Sequence, residues 1–234
     1  MPRTMFLFDV DCTLVQSDGL ASRVLHATAE RLFDGALTYR RRCLAGQVDL
    51  ALFQEAAELS GFTPGPGDHD RLIEAYTAAL GQAVDAEPGA MRALPGTREL
   101  LADLHERVRA GNGEGPVLGC LTGNYAAAAR IKLRAAGFDP DLFTVNAFGD
   151  EAATRPGLTE LALRRYEAAH GQAADPQRVF VIGDTPHDID CAHAHGCVAI
   201  AVATGRFSRQ ELEVAGADVV AADLTDPAVV LDCL

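Results

Sequence analysis

Asp9 and Asp11 stand two residues apart, directly after the apolar run Phe6-Leu7-Phe8, with Thr13 two further on. If that run is a buried strand, side chains alternate with period two and both carboxylates point to the same side of its end. Two ionised neighbours repel, so the arrangement calls for a cation, a shared proton, or both. This is the make-up of a Mg²⁺ site with a carboxylate nucleophile beside it. Asp9 is the candidate nucleophile, which would form an aspartyl phosphate. Asp11 is the candidate general acid for the leaving oxygen and then general base for the attacking water. A metal touching Asp9 but not the Asp11 carboxylate would separate their pKa values in the required order. Alone, Asp-x-Asp-x-Thr also describes turn and cap residues, so the pair needs partners elsewhere in the chain.

Three further stretches offer them. Thr122-Gly123-Asn124 follows a strand candidate at 116–121 and opens a predicted helix through Ala136. Its hydroxyl and free N–H groups suit a phosphate oxygen, with a plain N-cap as the simpler alternative. Gly183-Asp184-Thr185-Pro186-His187-Asp188 follows the apolar run 179–182. Asp184, at the strand end, is the stronger Mg²⁺ ligand; Asp188 binds the ion directly or through water, or caps the next helix. A fixed cation is still needed between Asp9 and a phosphoryl group. Arg155, just before a helix opened by Pro156, is better placed than Lys132, the only lysine. Lys132 lies about two helical turns beyond Asn124, roughly 12 Å along the axis.

The elements that position these residues are a parallel sheet and its helices. Strand candidates at 6–8, 116–121, 142–145, 179–182, 198–202 and 218–220 alternate with helical periodicity after Pro95, including a helix that Thr97 can cap. Such repeats predict a parallel sheet covered on both faces. Ligands of open parallel sheets sit beyond the carboxyl ends of the strands, where Asp9, Thr122 and Asp184 fall. Residues 16–94 read differently: helical spacing from Leu20, around Leu52–Leu59 with Gly61 as the stop, and around Leu72–Leu80, with no convincing strand. The reading is an α/β, Rossmann-like core at 1–15 and 95–234 with an all-helical cap at 16–94.

Composition narrows the function. Of 234 residues, 48% are apolar, ordinary for a globular chain, and the formal charge is −13. That charge argues against nucleic acid and against anionic membrane surfaces. No apolar run approaches the ~20 residues that span a bilayer, and Met1-Pro2-Arg3-Thr4 with its short apolar segment is too short for a signal peptide. Cys12, Cys43, Cys120, Cys191, Cys197 and Cys233 form no C-x-x-C pair, so the expectation is a cytoplasmic protein with reduced thiols and no structural zinc. Arg23, His26 and Tyr39-Arg40-Arg41-Arg42 offer a basic face that could meet an acidic substrate tail or simply be solvated. His193 and His195 read as surface or structural.

Together, Asp9-Val10-Asp11-Cys12-Thr13, Thr122-Gly123-Asn124, Arg155-Pro156 and Gly183–Asp188 resemble the four motifs of the haloacid-dehalogenase-like hydrolases. Their order is similar to that of the phosphatase branch with a helical cap after the first strand. Residues 44–49 are similar to a cap stretch of phosphoglycolate-phosphatase-like members. The resemblance implies a Mg²⁺-dependent hydrolase of a small phosphate ester, with Mg²⁺ on the Asp9 carboxylate, the Asp11 carbonyl and Asp184. It implies phosphate on Thr122, Gly123, Asn124 and Arg155. Two departures stand out: arginine at 155 where lysine is usual, and Cys12 where glycine is common. A sugar phosphomutase is the alternative, and a non-catalytic phospholigand binder a third; the expected oligomeric state is monomer or homodimer.

Overall fold

The computed structural model describes residues 2–39 and 46–234. Cys43, the run Arg40–Arg42, and Leu44 and Ala45 of the cap stretch therefore lie outside the described residues.

The central strand β1 (Met5–Phe8) has all four residues fully buried. It leads through a tight turn into the two-residue β2 (Val15–Gln16). Three helices follow: α1 (Leu20–Leu32), α2 (Asp49–Ser60) and α3 (Asp68–Ala86). The chain returns along β3 (Arg92–Ala93), antiparallel to β2. This short ribbon corrects the expectation of no strand between 16 and 94. Its two residues per strand are too few to leave a periodic signature.

The remainder alternates as the sequence predicts. It runs α4 (Thr97–Ala110), β4 (Val117–Cys120), α5 (Ala126–Ala135), α6 (Arg155–His170), β5 (Val179–Gly183), α7 (Pro186–His193), β6 (Val198–Val202), α8 (Arg209–Val214), β7 (Val219–Ala221) and α9 (Ala228–Leu231). The five long-range strands form one parallel sheet in the order β4-β1-β5-β6-β7. Alternation in β1 builds two cores. Phe6 and Phe8 pack with α4, α5 and the helical insert through Leu100, Leu104, Leu133, Leu25 and Leu72. Met5 and Leu7 pack with α6, α7 and α8 through Leu158, Tyr166, Ile189 and Leu212. Each such buried side chain contributes about 1.5–3 kcal/mol.

Register places the polar strand ends together. Phe8 lies beside Cys120 of β4 and Ile182 of β5. One or two residues further on, Asp9, Thr122 and Asp184 emerge at the same sheet edge.

Three local expectations are corrected. Residues 142–145 form no strand. Pro140–Leu142 is a 3₁₀ turn, with proline at its start and Asp139 accepting from the Asp141 N–H. The chain then runs beside β4, the Thr144 and Val145 N–H groups both donating to the Leu118 carbonyl and the Ala147 N–H to the Cys120 carbonyl, with a Leu121–Ala147 bridge just beyond the strand. Thr97 does not cap α4. Gly96, at φ 77°, is the cap, and the Thr97 hydroxyl donates back to the Leu94 carbonyl. The helix after Asn124 starts at Ala126, so Thr122-Gly123-Asn124 is a loop ahead of its N-terminus. Among the described residues, no helix is long and apolar enough to cross a membrane.

Gly119 in β4 shows how closely the 142–147 segment crosses the sheet. A Cβ there would lie 1.8 Å from the Val145 carbonyl oxygen. Gly119→Ala should therefore cost about 1–3 kcal/mol, read as a lowered urea midpoint. An unchanged midpoint would show that this segment can move away freely.

Candidate active site

The turn after β1 sets the first two carboxylates. The Asp9 N–H donates to the Ile182 carbonyl, and the Leu14 and Val15 N–H groups both return to the Val10 carbonyl. This closure forces Cys12 into the left-handed region at φ 58°. That is the conformation glycine adopts most readily, which accounts for glycine being common at this position and leaves Cys12 in a strained backbone. The thiol is no nucleophile. Burial, then Asp184, Asp11 and Asp9, push its pKa up to about 12.

Asp9, Asp184 and Asp188 are buried, with one carboxylate oxygen from each within 4.8 Å of the others. Burial raises the Asp9 carboxyl to about 6, against Arg155, with Asp188 and Asp11 adding to the rise. Asp184 rises to about 9, by burial first and then by Asp188 and Asp9. It accepts no hydrogen bond from a described residue, and a Cβ at Gly205 would sit 1.7 Å from its Oδ2, so only glycine fits beside it. Asp188 is the best satisfied of the three. Its Oδ2 accepts from the Thr185 N–H and hydroxyl (3.0 and 2.7 Å), a capping box on α7, and its Oδ1 accepts from Arg155. Both sequence-level roles of Asp188, cap and cluster member, thus meet in one residue. Three crowded hard oxygen donors with a single guanidinium among them are a donor set that fits a hard divalent cation.

Arg155 is the first residue of α6 and is buried. The same nitrogen, Nη2, reaches Asp188 and, at 3.2 Å, Asp9. Its Nε is buried with no partner among the described residues.

Lys132 corrects the sequence reading. It is 3% exposed, and its Nζ lies 2.5 Å from both Asp11 Oδ2 and Asn124 Oδ1. The axial distance misled because helical side chains lean toward the N-terminus and lysine carries a long stem. Asn124 turns back to meet it, donating from Nδ2 to Asp11 (2.8 Å) and to the Thr122 hydroxyl (2.7 Å). The signal was available: one lysine in a chain whose other basic residues are all arginine.

The helical insert closes over this edge. The Asp49 N–H donates to the Gly123 carbonyl (2.7 Å) and the Leu50 N–H to the Gly149 carbonyl (3.2 Å). Asp49 Oδ2 accepts from the Tyr125 N–H at 2.9 Å, and burial pushes its carboxyl up to about 7. Neither Asp49 nor Tyr125 was singled out from sequence, since each reads as an ordinary helix-start residue. Between insert and sheet lies a cleft of about 330 Å³. Asp9, Asp11, Thr122, Gly123, Asn124, Arg155 and Asp184 all line it, with Lys132; Asp188 stands behind Arg155. Of the basic cap residues, His26 lines the cleft and Arg23 is exposed, bonded to the Asp18 carbonyl. His193 pairs with Asp218 and His195 with the Pro156 carbonyl, both away from the cleft.

Residues 153–227 match the HAD-hydrolase-like family model. A phosphoglycolate phosphatase of Mesorhizobium japonicum is 24% identical, over 91% of this chain and 88% of that one. Another, of Synechococcus elongatus, is 26% identical over 91% and 89%. Among solved structures, CbbY from Rhodobacter sphaeroides in complex with phosphate is similar with a TM-score of 0.71 at 23% identity, over 97% of this chain and 96% of that one, a likeness of fold.

Asp9, Asp49 and Asp184 all have raised pKa values, so the folded chain holds protons that the unfolded chain releases. The stability this contributes is complete below the unfolded value of 3.8 and is lost as pH rises through about 6, 7 and 9. In chelator, the urea midpoint should fall between pH 5 and pH 8. Asp184→Asn should raise the pH 8 midpoint and flatten the dependence; no change would mean that the Asp184 pKa is not raised in the folded chain.

Proposed function

We propose, from the premise that this chain is a haloacid-dehalogenase-like hydrolase, that it is a Mg²⁺-dependent phosphomonoesterase of a small organic phosphate working through an aspartyl phosphate on Asp9. The observation that carries this reading is the gathering of Asp9, Asp11, Thr122, Arg155 and Asp184 along one cleft. Mg²⁺, held by Asp9, the Asp11 carbonyl and Asp184, with Asp188 directly or through water, would supply the charge that lets an anionic ester approach.

The chain's own residues do the rest. Asp9 attacks phosphorus, while Arg155, steadied by Asp188, draws the non-bridging oxygens together with Thr122 and the Gly123–Asn124 backbone. Arginine in place of lysine brings a planar fork, able to grip two oxygens where an ammonium is a point charge. Asp11 protonates the leaving oxygen and later takes a proton from the water that cleaves the aspartyl phosphate. Lys132 and Asn124 fix the direction of the Asp11 carboxyl between these steps. The cap, taken as residues 16–94 hinged at the β2–β3 ribbon, excludes water while the ester is positioned. We place the enzyme in the cytoplasm, as a monomer or homodimer.

Asp9→Asn should lower phosphate release by about a thousandfold or more while leaving the melting transition in place; retained turnover would remove Asp9 as nucleophile. Arg155→Ala should raise KM about tenfold or more and cost about 3–5 kcal/mol of stability by stranding Asp188 and Asp9. Wild-type kinetics in that variant would shift the phosphate role to another cation. Isomer formation in place of inorganic phosphate release would mark a mutase.

A further inference from the structure

Beyond the phosphoryl end, the cleft is walled by Ser22 and His26 of α1, Gln47, Asp49 and Tyr76. Asp49 is the first residue of α2 and is held from several directions. Its N–H donates to the Gly123 carbonyl, its carbonyl accepts from the Tyr125 hydroxyl at 3.3 Å, and Oδ2 accepts from the Tyr125 N–H. Oδ1 takes no hydrogen bond from a described residue. The two cations on the described lining are already engaged. Arg155 is bound to Asp188 and Asp9, and Lys132 to Asp11 and Asn124. Burial lowers the His26 pKa and so disfavours its charged form, and its Nε2 is buried without a partner among the described residues. At the mouth, Asp18 adds another carboxylate, paired with Arg92.

A second anion on the leaving group would therefore meet the Asp49 carboxylate in a confined space, with the cations that line it among the described residues already bound to other carboxylates. A hydroxyl would instead find an open acceptor in Asp49 Oδ1, an unpartnered ring nitrogen in His26, and both donors and acceptors in Ser22, Gln47 and Tyr76. We propose that Asp49 selects the leaving group by charge, so that the substrate is a phosphate monoester of an uncharged, hydroxyl-bearing alcohol and esters carrying a second anionic group are rejected. This rests on the phosphatase reading above and names its substrate class. It sets the chain apart from the phosphoglycolate phosphatases it is similar to.

The test compares kcat/KM with Mg²⁺ at pH 8 for p-nitrophenyl phosphate, glycerol 1-phosphate, phosphoglycolate and glucose 1,6-bisphosphate. It uses wild type and Asp49→Asn, whose amide keeps an acceptor for the Tyr125 N–H. Wild type should prefer glycerol 1-phosphate over phosphoglycolate by about tenfold or more, and Asp49→Asn should shrink that ratio by about tenfold. Phosphoglycolate or the bisphosphate turned over as well as the neutral ester by wild type overturns the assignment. A ratio that a folded Asp49→Asn leaves unmoved does the same. The wild-type ratio decides alone if the variant does not fold. Failure on all four esters, the aryl phosphate included, would overturn the phosphatase reading itself and the substrate class with it.

Discussion

Negative charge crowded into a dry place is the constraint on which this molecule turns. Asp9, Asp184 and Asp188 bring their oxygens within 4.8 Å of one another, and Asp11 stands beside them. Left to themselves such groups would take up protons or push apart. Two buried cations prevent this only in part, because each is divided between two acceptors. Arg155 serves Asp188 and Asp9, while Lys132 serves Asp11 and Asn124. Asp184 is left without a partner of its own, and its raised pKa follows. A divalent cation would supply the missing charge, and the same imbalance that weakens the bare fold would then favour its binding.

Only a rigid frame can hold repelling groups this close. The sheet is that frame. β1 is buried over its whole length and flanked by a strand on each side, so Asp9 and Asp184 leave adjacent parallel strands in fixed register. Helix starts finish the task. Arg155 opens α6, and Asp188 sits in the first turn of α7 with its carboxylate tied to Thr185. Each is aimed by a backbone that is already fixed, which costs less than ordering a long side chain on a loop.

How far the sequence could be read follows from these physics. Strand ends followed by acidic residues are a local pattern, so Asp9, Asp11 and Asp184 were legible, as was the parallel sheet whose alternation of strand and helix repeats along the chain. Gly61 as the stop of α2 was equally plain, and it does take the left-handed conformation at φ 65°. What stayed hidden depends on side-chain reach and on contacts between distant segments. Lys132 was set aside by counting rise per residue, yet a lysine stem leaning toward the helix start reaches Asp11. Asp49 was legible only as the last residue of the 44–49 cap stretch, because its meaning comes from Tyr125, 76 residues away. The 142–145 segment misled for a related reason. Its composition suits a strand, but a 3₁₀ turn comes first, and the Thr144 and Val145 N–H groups then share the single Leu118 carbonyl instead of forming a ladder.

Docking of the insert and choice of substrate are linked through the same short stretch. The Asp49 and Leu50 N–H groups bond to the Gly123 and Gly149 carbonyls, so the closed arrangement rests partly on main chain that tolerates side-chain change. The Asp49 side chain adds a bond to Tyr125 through Oδ2, while Oδ1 takes no hydrogen bond from a described residue and the residue lines the cleft. Excluding water from a cleft closed in this way would strengthen the electrostatic interactions inside it. A leaving group that repels Asp49 would therefore be disfavoured twice, once as a neighbour and again because it opposes the docking that dries the site. Selectivity built this way needs no separate lid residue: it arises wherever a charged side chain both closes a cleft and faces into it.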